Sequence, residues 1–399
     1  QNVYINSGAS RAFRAPGRPQ GSFGLEMALD DLAQKLDMDP YELRAKNLSG
    51  TLYKAIPFEL QLGAERFEWK AKYQKRNTKT GRIRKGVGCA VTTWGATGNP
   101  GGATVRCTIH TDGTVEIANS VQDLGTGCRT MMAITAAEEL GLDVQAIKIT
   151  IGDSSLGLPG PASGGSTTTP TVSPAVRSAA YQAKNKLFEK VAEKWGTSVD
   201  DIECNEGQVY SKSDTKKTMD WKKACALLRS GPIVTMGEHI EHPKIPDSGS
   251  GAYGAQFAEV EVDTETGKVR LIKILAVQDC GKVIARQQAE SQITGAVIQG
   301  CTSAIFEERI MDNMTGRQIN PDMENYKILN APNMPDIVPI LVDVFDPVNN
   351  TGAKGLGEPP YVPTASAIGC AVANALGIPV CDLPITPNKV LAALQTKEG

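Results

Sequence analysis

Three turns rich in glycine and serine stand before segments that we expect to form helices. They are Gly125-Thr126-Gly127, Ser163-Gly164-Gly165-Ser166-Thr167 and Gly352-Ala353-Lys354-Gly355-Leu356-Gly357. Glycine lets backbone amides approach an anion closely, and the amino end of a following helix adds partial positive charge. Each turn taken alone is more often ordinary tight-loop geometry. None fits the P-loop pattern, and no GxGxxG motif lies between a clear strand and a helix, so the usual nucleotide motifs are not supported.

The chain of 399 residues is long enough for more than one packed unit, because single cores seldom grow beyond ~250–300 residues. Its formal net charge of -2 creates no strong field that would attract nucleic acid or an anionic membrane. No apolar run reaches the ~18–20 residues that a membrane helix needs. We therefore expect a multi-lobed globular protein whose partners include neither nucleic acid nor a membrane.

Nine cysteines are scattered along the chain without the spacing of zinc or iron–sulfur ligands. Their odd number also argues against a disulfide framework. We expect reduced thiols in a cytoplasmic setting, with a periplasmic one still open. The histidines show no ligand pattern, and structural roles are expected for His110, His239 and His242.

Helices are predicted from apolar periodicity and capping residues. Residues 22–36 place Leu25, Ala28, Leu32 and Leu36 on one apolar stripe, which is typical of the face that packs on a core. Asp39 and Pro40 are suited to begin a second helix, since Asp39 can cap free amides and proline needs no donor at the first position. Further helices are expected over 173–195, over 288–305 and after Pro363.

Two hairpins are predicted from alternating apolar residues. The first pairs 104–109 with 115–119, and the second pairs 257–262 with 269–277. Each hairpin runs into a similar Val-Gln-Asp sequence and then a helix, which suggests two related lobes. We therefore expect an α+β fold with mixed sheets, divided into a helical junction (1–69), a basic linker (70–85), a first lobe (86–235), a crossing (236–250) and a second lobe (251–399).

Glu358 is the candidate catalytic carboxylate. Pro359 and Pro360 follow it and lack backbone donors, so they would hold the carboxylate in a defined direction. The preceding glycines could let the Glu358 carboxylate sit in a partly desolvated pocket with a raised pKa, although a glutamate beside prolines is usually a surface residue.

Arg14 and Arg18 could bind an anion or form structural salt bridges. Ser166 and Ser163 lack the elbow motif of hydrolase nucleophiles.

Taken in order, five motifs resemble the molybdenum-binding large subunit of the xanthine dehydrogenase and aldehyde oxidase family. They are AFRAPGRPQ, QDLGTGCRT, GDSSLGLPGPASGGSTTT, SQITGAVIQG and GAKGLGEPP, and they span nearly the whole chain. The resemblance is strongest to the bacterial aldehyde-oxidising and isoquinoline-oxidoreductase-like branch. It implies the family's molybdenum-cofactor-binding α+β fold.

The resemblance also implies a molybdenum cofactor held through its pterin, in the cytosine dinucleotide form, with no protein side chain on the metal. Glu358 would be the base that takes a proton from a metal-bound hydroxide, and Arg14 would stabilise developing negative charge. The expected cofactor contacts are Phe13, Gly125, Thr126, Gly127, Ser163, Gly164, Gly165, Ser166, Thr167, Gln292, Lys354, Gly355 and Gly357.

The AFRAPGRPQ motif differs from that of the xanthine-oxidising members of the family at a position that contacts the substrate in those enzymes. Pro16 stands where those enzymes have an aromatic residue that packs on the purine, and Trp94 is the candidate for a replacement aromatic wall. An aldehyde or an aromatic N-heterocycle is therefore expected as the substrate.

Large subunits of this family carry a comparable length of sequence before AFRAPGRPQ. The resemblance implies that an amino-terminal half is missing from this chain, and that [2Fe-2S] and FAD groups reside on partner subunits. Two alternatives remain open. The chain could be a non-catalytic binding or assembly component, or an inactive fragment of the same fold. A phosphate-using hydrolase or kinase would need a nucleotide motif that the sequence lacks.

Overall fold

A computed structural model describes residue 8 and residues 11–48, 55–99, 101–239 and 251–398. His242 and most of the predicted crossing lie outside these residues. The elements follow in chain order: α1 (Arg18–Lys35), α2 (Pro40–Leu48), α3 (Ala55–Phe67), α4 (Trp69–Lys72), β1 (Ile83–Trp94), β2 (Thr104–Ile109), β3 (Val115–Ala118), α5 (Cys128–Leu140), β4 (Ile147–Thr150), α6 (Thr168–Trp195), β5 (Ile202–Asn205), β6 (Gln208–Ser211), β7 (Thr218–Asp220), α7 (Trp221–Cys225), β8 (Ile233–Glu238), β9 (Ala252–Asp263), β10 (Val269–Asp279), α8 (Arg286–Ile305), β11 (Asp336–Val342), α9 (Thr364–Leu376) and α10 (Pro387–Glu398). The α+β prediction is confirmed.

The β9 sheet has the strand order β1-β9-β10-β11, with β10 and β11 parallel and the other neighbours antiparallel. Side chains alternate along β9, so Phe257 faces the core beneath α3 whereas Ala258 and Val260 face α9. Helix α9 is buried along its whole length. It lies so close to β1 that a Cβ at Gly88 would come within 2.3 Å of the Ala371 amide nitrogen.

The β2 sheet has the strand order β4-β3-β2-β8, and a small sheet is formed by β5, β6 and β7. The first predicted hairpin is confirmed, since β2 and β3 pair antiparallel and Ile109 lies opposite Val115. The second is also confirmed, with longer strands than predicted. Helices α5 and α6 share one apolar core with the β2 sheet. Both helices begin at the end of the lobe that faces the second half of the chain.

Strand β1 crosses the predicted division between linker and first lobe. Over residues 83–94 it pairs with β9 and not with β2, so this part of the predicted first lobe belongs to the β9 sheet. The basic segment 70–85 is also not a free linker. Its cations form ion pairs with carboxylates of α1, of the turn after α1 and of β9: Arg76–Asp30, Arg76–Asp31, Lys75–Asp37, Lys72–Glu259, Lys85–Glu261 and Arg82–Asp263.

Helix α1 begins at Arg18, earlier than predicted, and its predicted packing face is wrong. Leu25, Leu32 and Leu36 are 61%, 44% and 56% exposed. The buried face instead carries Phe23 and Met27, which contact Gly369 of α9. It also carries buried acidic residues that pair with arginines from distant segments, and this is why apolar periodicity alone selected the opposite face.

Candidate active site

The three predicted turns meet at one cavity of about 460 Å³. The turn at 126–127 and the loop at 163–166 enter from the side of the β2 sheet. The start of α8 and residues 353–358 enter from the other side, and Arg14 reaches in from the amino-terminal segment. Segments separated by more than 300 residues of sequence are thus combined in one site.

Glu358 lines this cavity and is held at both carboxylate oxygens. The backbone N–H of Ala15 donates to Oε1 at 3.0 Å, and the hydroxyl of Ser166 donates to Oε2 at 3.3 Å. The Glu358 backbone N–H donates to the same Ser166 oxygen at 2.7 Å. Pro359 and Pro360 are buried in the short 3-10 turn that follows. A carboxylate has about four acceptor positions, so each oxygen can accept a further hydrogen bond from the cavity.

Arg14 forms a hydrogen bond to Gly357, the residue before Glu358. Its Nε donates to the carbonyl of Gly357, Nη1 donates to Gln299 Oε1 at 3.2 Å, and Nη2 donates to the carbonyl of Gln292 at 3.0 Å. Burial lowers the pKa of Arg14 to about 10, while the nearby charge of Glu358 opposes that shift. The guanidinium is therefore cationic at neutral pH, beside the candidate base. The side chain of Gln292 also lines the cavity.

The loop at 163–167 and the turn at 352–357 are in direct contact. Ser166 has a left-handed backbone with φ of 59°, which is uncommon for a residue other than glycine. Its carbonyl oxygen lies so close to Gly355 that a Cβ there would be 1.5 Å away. Behind the loop, Trp94 donates its indole N–H to the carbonyl of Gly165 at 3.0 Å. The two loops therefore fix each other's position.

Three helices begin at the cavity, but their amino ends differ. The carboxylate of Asp123 caps α5, because it accepts the backbone N–H groups of Gly125, Gly127 and Arg129 at 2.9–3.2 Å. Those amides are therefore engaged, contrary to the expectation that this turn offers them to an anion. Within the described residues, no side-chain capping bond is made at the start of α6 or of α8. The free amino ends for an anion are thus at these two helices.

Lys354 is among the residues that line the cavity. Its ammonium forms ion pairs with Asp279 and, at 3.2 Å, with Asp346, and the side chain is 6% exposed. The expected cofactor contact at Lys354 stays a prediction, and the ammonium group itself is engaged in these ion pairs.

The other expected residues divide into two groups. Thr126, Gly127, Ser163, Gly164, Gly165, Ser166, Gln292, Gly355, Gly357, Arg14 and Glu358 line the cavity, whereas Phe13, Pro16, Trp94, Gly125 and Thr167 are not part of its lining. Phe13 is largely exposed and makes an edge contact with the ring of Tyr361 at 5.7 Å. Sequence reasoning missed Asp123 and Gln299. Only the first had a local signal, an acidic residue two positions before a glycine turn.

Among the residues that the structure describes, no group of three or more histidine, cysteine or carboxylate side chains is placed to hold a metal ion. In the same part of the chain, no helix has the length and apolarity to cross a membrane.

Comparison with known families identifies this arrangement. A family model described as a molybdopterin cofactor-binding domain matches residues 62–335, and a second model of the same description matches residues 1–48. The chain belongs to the molybdenum hydroxylase family. The family and the fold predicted from the motifs are both confirmed.

Relatives of this molybdenum hydroxylase chain include the xanthine dehydrogenase molybdenum-binding subunit of Escherichia coli O157:H7, with 29% identity over 410 residues. The aldehyde oxidoreductase molybdenum-binding subunit of Escherichia coli K12 is 32% identical over 398 residues. These alignments cover 98% and 96% of this chain but only 54% and 52% of the relatives. The chain thus spans about half the length of the curated relatives it matches.

Solved structures give the same picture of the molybdenum hydroxylase fold. Quinoline 2-oxidoreductase from Pseudomonas putida 86 superposes with a TM-score of 0.83 at 21% identity, covering 96% of this chain and 53% of that one. The aldehyde oxidoreductase of Desulfovibrio desulfuricans superposes with a TM-score of 0.72 at 27% identity, covering 96% and 41%.

Proposed function

We propose that this chain is the cofactor-binding catalytic part of an oxidoreductase that hydroxylates aldehydes or aromatic N-heterocycles with oxygen derived from water. The observation that carries the proposal is the position of Glu358, held at both oxygens on the wall of the cavity where the cofactor-type loops meet.

The residues present fit a pterin dinucleotide. The amino ends of α6 and α8 suit its phosphates, and the backbone of 163–166 and the Gln292 side chain can bind its polar edges. Once bound, the group would supply a molybdenum centre that transfers oxygen to the substrate and takes up two electrons. We propose the cytosine dinucleotide form.

Glu358 would act as the general base. One carboxylate oxygen accepts a proton on the cavity side, while Ala15 and Ser166 hold the carboxylate plane and Arg14 stabilises negative charge nearby. Proton transfer by a positioned base contributes ~10²–10⁴-fold to the reaction rate, so we expect loss of the Glu358 carboxylate to lower turnover strongly.

The substrate would be small and uncharged. Leu124, Met131 and Leu356 give the cavity apolar walls. Such walls suit an aldehyde or an aromatic heterocycle. The substrate-side roles of Pro16 and Trp94 and the cofactor contact of Phe13 remain proposals. The exposed ring of Phe13 lies against Tyr361, which is beside Arg14.

We propose that an amino-terminal molybdopterin-binding half or subunit closes the cavity, because the chain spans about half the length of its relatives. Subunits with [2Fe-2S] and FAD would carry the two electrons onward. The nine cysteines are unpaired in the described part of the chain, which fits a reducing compartment, and we propose a cytoplasmic enzyme.

The test is to purify the assembled protein that contains this chain and to measure molybdenum, released nucleotide and aldehyde-dependent dye reduction. The proposal predicts stoichiometric molybdenum, cytidine monophosphate on acid hydrolysis, and product oxygen from labelled water. An assembled protein without molybdenum or pterin and without turnover would favour the non-catalytic assembly component instead.

A further inference from the structure

A buried charge cluster lies directly behind the turn that carries Glu358. Lys354 lines the cavity, and its ammonium pairs with Asp279 at the end of β10 and with Asp346 after β11. The ring of Tyr253 on β9 lies 5.5 Å from the same ammonium, within range of a cation–π contact. The Lys354 side chain thus contacts residues on β9, on β10 and in the loop after β11.

Such a cluster is costly to bury. The side chains of Lys354, Asp279 and Asp346 are 6%, 4% and 9% exposed, and removing ions from water is repaid only with good geometry and further hydrogen bonds. Buried ion pairs are often no more stabilising than apolar residues of the same volume. A gain in folding stability therefore does not explain why the Lys354 ammonium is buried here. A role in positioning the neighbouring turn is the alternative.

Residue 354 is also fixed through its backbone. Its N–H donates to the carbonyl of Cys280 at 2.8 Å, and the next N–H, that of Gly355, donates to the carbonyl of Ala96 at 2.9 Å. Three residues further along, the Glu358 N–H reaches Ser166. The chain from 354 to 358 is therefore a short span between the buried ammonium and the candidate base.

We propose that Lys354 is a positioning residue, whose ammonium, held by Asp279 and Asp346, fixes the turn at 352–358 so that the Glu358 carboxylate faces the bound substrate. The proposal rests on the proposed function of Glu358. A displacement of about 1 Å at a reacting group can cost about a hundredfold in rate, so loss of this tether is expected to act on turnover.

Two variants of the assembled enzyme separate positioning from stability. Lys354→Met leaves two buried carboxylates without their cation and is expected to unfold more easily. The triple variant Lys354→Met/Asp279→Asn/Asp346→Asn removes the whole set of charges and is expected to recover the thermal midpoint. Lys79→Met is the control, because Lys79 is a half-buried lysine that donates to Asn374 away from the cavity.

The readouts are hydrogen–deuterium exchange of the peptide 352–361 and the separate values of kcat and KM at equal molybdenum content. In the triple variant we expect exchange of the 354, 355 and 358 amides to rise at least about tenfold and kcat to fall at least about tenfold, with KM within about twofold. Full protection of these amides, or wild-type kcat in the triple variant, would overturn the proposal. A wild-type enzyme without turnover would instead refute the proposed function, while the exchange data would still judge the tether.

Discussion

The hydroxyl of Ser166 accepts the backbone N–H of Glu358 at 2.7 Å and donates its own proton to the carboxylate of the same residue at 3.3 Å. A hydroxyl can do both because it carries one donor and two acceptor positions. The two residues are 192 positions apart in sequence. The loop expected to bind cofactor thus also orients the candidate base.

Replacing Ser166 with alanine should therefore reduce turnover. A hydrogen bond to a charged group contributes about 1.5–3 kcal/mol, so we expect kcat to fall at least about tenfold for Ser166→Ala at unchanged molybdenum content. Ser155→Ala is the matched control, since the Ser155 hydroxyl also donates to a carboxylate, that of Asp153 at 2.6 Å, and Ser155 does not line the cavity. Steady-state kinetics give the measurement, and equal kcat for both variants would contradict the assigned role of Ser166.

The guanidinium of Arg14 makes three directed contacts that a lysine cannot reproduce. We expect Arg14→Lys to keep the positive charge yet to lose at least about tenfold in kcat, because the carbonyl of Gly357 beside the base is no longer braced. Arg11→Lys, at an exposed position of the same segment, should behave as wild type. Full activity of Arg14→Lys would show that charge alone is needed there.

Close contact between Gly355 and Ser166 predicts a stability effect. A methyl group at position 355 would meet the Ser166 carbonyl at 1.5 Å, so Gly355→Ala must displace one of the two loops. We expect a loss of about 3 kcal/mol in the free energy of unfolding, measured by urea denaturation. Gly295→Ala, within α8 and with nothing inside 4 Å of the added methyl group, should gain up to about 1 kcal/mol. Equal stability of the two variants would refute the contact.

Glu59 on α3 gives a prediction for pH dependence. Both its carboxyl oxygens are buried, and neither makes a hydrogen bond of normal geometry within the described residues. Burial raises the pKa of Glu59 well above its ordinary value, the charge of Asp279 raises it further, and Lys354 opposes both. The folded protein thus keeps a proton that the unfolded chain releases above about pH 4.5.

The contribution of Glu59 to the free energy of unfolding therefore falls as pH rises from the ordinary glutamate pKa towards the raised one. Glu59→Gln lacks this loss, so the difference in thermal midpoint between this variant and the wild type should move in favour of the variant as pH rises above about 5, as measured by scanning calorimetry. Glu65→Gln, exposed on the same helix, should follow the wild type. Parallel pH profiles for Glu59→Gln and the wild type would contradict the raised pKa.

Local sequence patterns predicted what local physics determines. The hairpin β2–β3 follows from alternation across a glycine turn, and α8 follows from periodicity to within two residues at its start. Helix α6 begins at Thr168, ahead of the predicted start, because Pro174 lies within the helix and does not open it. The partner of β1 could not be predicted, since its pairing with β9 joins segments about 170 residues apart.

The site shows the same division. The order of the five motifs in the sequence predicted that Glu358, Arg14 and the glycine turns belong to one site. The side-chain direction of Lys354 and the capping of α5 by Asp123 depend on contacts that only the folded chain provides. The packing face of α1 could not be predicted from apolar periodicity, because it carries buried acidic residues whose arginine partners come from elsewhere in the sequence.

The most direct test of the account is Glu358→Gln in the assembled enzyme, with molybdenum and pterin quantified in the same preparation. Glutamine keeps the shape of the side chain, its oxygen can accept the Ala15 N–H, and its NH2 group can donate to the Ser166 hydroxyl, but it is not a base at neutral pH. If Glu358 is the base, the variant keeps its cofactor content and its kcat falls by about a thousandfold. A kcat within about threefold of the wild type at full molybdenum content would contradict the assignment of Glu358 as the catalytic base.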